Sequence, residues 1–159
     1  MYKVLLGAVA IAGLIGIGTV GFFESRVQYG EVQPASGDTL VVLLHGYALD
    51  KESLNAVRDS MRKLPEYADS EFLQPDLPFG VASIADAGEV LEDLLYAIDE
   101  TWERRKKVGR PYKSIVLVGH SMGGLYARKI YAAAAGATDA APFDPELSNS
   151  LNLDRRRAW

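Results

Sequence analysis

VLVGHSMGGLY, residues 116–126, passes without a spacer from apolar, β-branched residues into a serine flanked by glycines. Gly119-His120-Ser121-Met122-Gly123 fits the pattern G-x-S-x-G, and Gly124 extends it. Five positions alone are weak evidence. Their setting strengthens them: SIVLVG (114–119) reads as a buried strand, and a helical pattern runs from Met122 to about Ala135. A serine used as a nucleophile belongs in such a strained strand-to-helix turn, where its oxygen stands clear of the sheet. Glycines on either side remove side chains that would strike the neighbouring strand and the new helix. The helix behind the serine directs backbone N–H groups and a positive dipole end at developing negative charge.

Working outward, TLVVLLHGY (39–47) holds an apolar run, Leu40 to Leu44, that stops at His45-Gly46. Such a run suits a strand buried on both faces of a parallel sheet. Asp50 is placed to cap a helix carrying Leu54, Val57, Met61 and Leu64 as one apolar stripe, ended by Pro65. EFLQPDLP (71–78) reads as a short strand entering a proline-rich turn. SIAD (83–86) has capping-box spacing for a longer helix bearing Ile84, Leu91, Leu94, Leu95, Ile98 and Trp102. Its basic run, RRKK (104–107), reads as a solvated helix end that complements the dipole. Strands alternating with helices predict an α/β fold of three layers, α/β/α, around a mostly parallel sheet. An oxyanion hole paired with such an elbow takes one N–H from the residue after the nucleophile, Met122, and one from a loop after an early strand. The N–H of Tyr47, in His45-Gly46-Tyr47, is the candidate.

The 159 residues, 48% of them hydrophobic, suffice for one domain with a core. Beyond residue 23 the chain holds 16 basic against 21 acidic residues, a solvated surface that gives no reason to expect nucleic acid. Cysteine is absent, so disulfides and thiolate metal sites are excluded, and two histidines 75 positions apart argue against a histidine metal cluster; no motif calls for a metal or cofactor.

Val4 to Phe23, VLLGAVAIAGLIGIGTVGFF, carries no charge. Twenty helical residues span roughly 30 Å, the thickness of bilayer hydrocarbon. The run is too long for the apolar core of a cleavable signal, and its small-residue pairs fall inside it. It therefore predicts a single-pass signal-anchor over residues 1–23, ahead of a cleaved signal and of a buried helix. Lys3 faces Arg26 across the run with Glu24 beside it, which leaves the orientation open. Residues 24–38 read as a linker with room for one edge strand, and residues 136–159 as a polar, lid-like or truncated segment.

VVLLHGY, QPDLPFG and VLVGHSMGGLYARKIY together resemble the N-terminal part of α/β-hydrolase-fold serine esterases and lipases, over residues 38 to 135. The resemblance implies that Ser121 is the nucleophile, that Tyr47 and Met122 supply the oxyanion hole, and that His45 orients the loop carrying Tyr47. It implies ester or thioester substrates, lipids included, although the fold hosts other chemistries. It also implies a catalytic acid and then a histidine after the nucleophile. Here no histidine follows His120. His120 itself, beside Ser121, is expected to point towards the packed region beneath. Asp139, Asp144, Glu146 and Asp154 follow the last helix, but no apolar strand precedes any of them.

Two functions fit. One is a membrane-anchored serine hydrolase of which these residues are the N-terminal part, an incomplete α/β-hydrolase fold with little turnover alone. The other is a non-catalytic, membrane-tethered binding protein that keeps half the fold. In either, the open sheet edge invites self-association or further chain to cover it.

Overall fold

The computed structural model describes residues 27–28, 35–79 and 86–134. The apolar segment 4–23, much of the 24–38 linker, Ser83 and Ile84, and the segment 136–159 with its four acidic candidates lie outside them. Among the described residues, no helix is long and apolar enough to cross a membrane.

Three parallel strands form the sheet in the order β2-β1-β3, with β1 at Thr39–Leu44, β2 at Glu71–Leu73 and β3 at Ser114–Gly119. β1 lies in the middle, pairing Leu40 with Glu71 on one side and Thr39 through Leu44 with Ser114 through Gly119 on the other. Its central place explains the unbroken apolar run, since Leu40 to Leu44 are wholly buried. Among the described residues β3 is an outer strand, and its apolar side chains are only half-buried.

Side chains alternate across the sheet. Leu40, Val42, Leu44 and Leu73 join α2 (Ala87–Lys107) and α3 (Met122–Ala134) in the larger core, through Leu91, Leu94, Leu95, Ile98, Trp102, Tyr126 and Ile130. Val41, Leu43 and Phe72 turn the other way onto Leu54, with Met61 and Tyr67 packed alongside. The result is the expected α/β/α layering with helices on both faces.

Two expectations about helices need correction. The stripe after Asp50 is split: Asp50 caps a 3-10 turn, Lys51–Leu54, by accepting from Ser53 N–H at 3.0 Å, and α1 (Asn55–Met61) then ends before Pro65. Leu54 is buried, but Val57 and Leu64 are exposed, because the short α1 offers the sheet only one turn of contact. The longer helix takes its cap from Asp86, whose carboxylate accepts from Gly88 and Glu89 N–H at 2.7 and 3.2 Å. A carboxylate caps as well as a hydroxyl and adds charge at the positive dipole end.

The basic run is only half solvated. Lys106 and Lys107 are exposed, but Arg105 is buried and donates to the carbonyls of Ala35, at 2.6 Å, and Gly37. Arg104 pairs with Glu71, which opens β2 and is 1% exposed. A carboxylate buried that deeply needs cationic neighbours, and the helix end supplies them. Arg105 also lies over the Tyr112 ring at 4.9 Å.

Candidate active site

β1 and β3 run side by side to the same end of the sheet and deliver His45-Gly46-Tyr47 and His120-Ser121-Met122 next to each other. The N–H of His120 still bonds Leu44 O at 3.0 Å, so the ladder holds until one residue before the serine. There the chain turns sharply. Ser121 is exposed and has φ +52°, in the left-handed region that few non-glycine residues occupy. That backbone is what a strained elbow requires.

The turn closes only because its neighbours lack side chains. A Cβ on Gly119 would lie 2.6 Å from the Gly123 carbonyl oxygen, and one on Gly123 would lie 2.5 Å from the carbonyl oxygen of His45. The first glycine lets the new helix fold back over the strand, and the second lets that helix settle on β1. Gly123 and Gly124 give their N–H groups to His120 O and Ser121 O, both at 2.9 Å. Met122 is the first residue of α3, so its N–H has no acceptor inside the helix.

Gly46 faces the serine directly. A Cβ there would come within 3.0 Å of Ser121 Cβ and of His120 Nδ1. The imidazole of His120 is therefore beside Gly46 and exposed, not directed into the packed region. The space above a residue without a side chain accommodates the ring.

His45 is completely buried, and both its nitrogens are engaged. Nε2 accepts from Leu77 N–H at 2.7 Å, and Nδ1 is 2.9 Å from Gly46 O. With the Nε2 lone pair used in this way, the proton resides on Nδ1 and is donated to Gly46 O. Asp76 Oδ1 stands 3.2 Å from Nε2. His45 thus ties the loop after β1 to the loop after β2, and it has no nitrogen left for Ser121.

Sequence reasoning missed three parts of this arrangement. Ala48 has φ +55° and donates to Phe79 O at 2.7 Å, which fixes the loop that carries Tyr47. The Phe79 ring stands edge-on to His45 at 6.4 Å and tilted on Tyr126 at 5.1 Å, joining the histidine to α3. Burial first, and then the charge of Asp86, raises the Tyr126 hydroxyl above its ordinary pKa, so it stays neutral there. Gln28 pairs with Asp76 in an isolated antiparallel bridge, so the linker's edge element meets the sheet at this end. No signal in the sequence marks an alanine with positive φ. The QPDLPFG turn is the one visible cue to Phe79.

Among the described residues, no cluster of histidine and carboxylate side chains could hold a metal ion. Tyr47 and Leu49 are exposed beside the elbow.

The model of the alpha/beta hydrolase family matches residues 41–159, from within β1 through α3 and beyond. A comparison with curated proteins gives no match. The fold, a parallel sheet with its helices, agrees with that match, and the chain belongs to the alpha/beta hydrolase family.

Proposed function

We propose that the protein is a serine hydrolase of carboxylic esters or thioesters, lipids included, held to a membrane by residues 4–23. Ser121 Oγ attacks the acyl carbonyl carbon, its proton passes to a base, and the carbonyl becomes an oxyanion held by the N–H groups of Tyr47 and Met122. Collapse breaks the bond to the alcohol or thiol, which leaves with the proton from the base. Water then repeats the sequence on the acyl-serine and frees the acid. The single observation that carries the reading is Ser121 at φ +52° in contact with Gly46, between a strand end and a helix start.

His45 is tied at both nitrogens, and among the described residues no hydrogen bond joins the exposed His120 ring to Ser121, so neither is set to take its proton. The reading therefore calls for a base that neither histidine of these 159 residues supplies. On their own they retain at most the ~10³–10⁴-fold over water that binding and an oxyanion hole supply.

The test is covalent labelling. Protein isolated from its source and treated with a fluorophosphonate should carry the adduct on the peptide containing Ser121, and Ser121→Ala should remove it. An unmodified Ser121 in folded protein would overturn catalysis and leave the second reading, a membrane-tethered binding protein. That reading draws on the same lack of a histidine bonded to Ser121.

A further inference from the structure

Val27 and Gln28 are fixed at the Ser121 end of the sheet. Gln28 N–H donates to Asp76 O at 3.0 Å and Asp76 N–H to Gln28 O at 2.7 Å. Val27 is buried in the larger core, and its N–H lies 3.4 Å from Asp93 Oδ2. Asp76 touches His45, and the next residue, Gly46, touches Ser121. A few contacts therefore separate Gln28 from the candidate nucleophile.

The uncharged run ends at Phe23, four residues before Val27. Four fully extended residues reach at most roughly 14 Å. The other end of the sheet, where Thr39 and Ser114 begin their strands, lies a further strand length away, roughly 17 Å. A bilayer holding residues 4–23 is thus tethered to the end that carries Ser121.

Of the large apolar side chains exposed among the described residues, three stand at this end, and Val57, Leu64, Tyr96, Val108 and Tyr131 are exposed as well. Tyr47, Leu49 and Leu125 are 51%, 42% and 60% exposed, on the loop after β1 and the first turn of α3. Of the exposed cations, Lys106, Lys107, Arg110 and Lys113 lie at the far end, with Val108. The loop after β1 carries Asp50 and Glu52 against Lys51, so its attraction to a bilayer is apolar and suits zwitterionic lipid.

We propose that the rim of Tyr47, Leu49 and Leu125 rests on the surface of the bilayer that holds residues 4–23, so that Ser121 takes its acyl ester from that bilayer and not from bulk water. The inference rests on the membrane-anchor and hydrolase readings above and gives them a substrate class, the acyl esters of membrane lipids.

The absence of cysteine makes single-site labelling clean. The full chain in phosphatidylcholine vesicles is labelled with a polarity-sensitive fluorophore at Leu49→Cys, Val108→Cys or Ala12→Cys, and quenched by lipids bearing a nitroxide at the headgroup or deep in the acyl chain. The label at position 12 should be quenched from the acyl chain. The label at 49 should be quenched from the headgroup roughly threefold or more above that at 108. Quenching at 108 equal to or above that at 49, with position 12 buried, would overturn the orientation and leave the anchor standing. No quenching at position 12 would remove the anchor and the proposal with it. None of these signals depends on turnover, so failure of the hydrolase reading shows separately, as an unlabelled Ser121.

Discussion

Gly46 and Ser121 stand so close that a Cβ on the glycine would lie 3.0 Å from the Cβ of the serine. The loop after β1 and the elbow after β3 are therefore one packed unit. Gly46→Ala should force the elbow to shift by a few tenths of an ångström, with His120 free to swing aside. Fluorophosphonate labelling of Ser121 should slow by at least about tenfold, the scale expected when a reacting group is misplaced. The stability cost should stay near the ~1 kcal/mol low end of overpacking. Gly123→Ala meets the backbone carbonyl oxygens of Leu44 and His45, which cannot swing, so there the cost should reach about 3 kcal/mol by urea unfolding. Equal stability losses at the two positions would show that the backbone under Gly123 yields as easily as the His120 ring.

Ser121 at φ +52° stores strain that only glycine relieves. In ordinary helix or strand, alanine is more stable than glycine by about 0.5–1 kcal/mol. At position 121 the order should invert, with Ser121→Gly more stable than Ser121→Ala by about 1 kcal/mol, since a left-handed residue with a side chain costs about 1–2 kcal/mol. Thermal unfolding of the two variants decides it. The usual order would mean that the elbow is relaxed.

How far the sequence reveals this site depends on which forces fix each part. β1 is legible because continuous burial writes itself as an apolar run, β3 because a half-buried strand still carries β-branched residues, and Ser121 because its elbow needs glycines in fixed places. α1 is not legible, since Val57 and Leu64 keep a helical stripe that the short helix never brings to the sheet. The Arg105 and Glu71 pairing joins residues 34 positions apart, and local charge pattern says nothing of it. Ala48 is hidden for another reason: its positive φ is imposed by a bond to Phe79 O and not by its own side chain.

His45 holds two loops with one ring. His45→Ala should leave Leu77 N–H buried without an acceptor and open a cavity, at a cost of about 2–4 kcal/mol. A loss below about 1 kcal/mol in urea unfolding would mean that water or Asp76 replaces the ring at no cost.

Glu71 is the only acid paired with Arg104 and Arg105 among the described residues. Glu71→Ala should cost about 3–5 kcal/mol, because it strands a buried guanidinium. Lys107→Ala, on the exposed side of the same helix turn, should stay within about 0.5 kcal/mol. Parity between the two would show that Arg105 is satisfied by the carbonyls of Ala35 and Gly37 alone.

Tyr112 provides a test by pH. Burial first, and the neighbouring Glu71 second, push its hydroxyl well above the ordinary 10.0, so the folded chain keeps the proton where the unfolded chain releases it. The hydroxyl lies beside Glu71 without a hydrogen bond of ordinary geometry, which leaves burial as the main cause. The sign follows from proton linkage. Below pH 10 both states hold the proton and stability does not depend on this group; above it the unfolded state binds fewer protons, and stability falls as pH rises. Tyr126, raised by burial as well, adds to the same limb. Melting temperatures should therefore hold level from pH 8 to about 10 and decline beyond it, and Tyr112→Phe should make that decline shallower. An unchanged slope in Tyr112→Phe would mean that this hydroxyl ionises as readily in the folded chain as in the unfolded one.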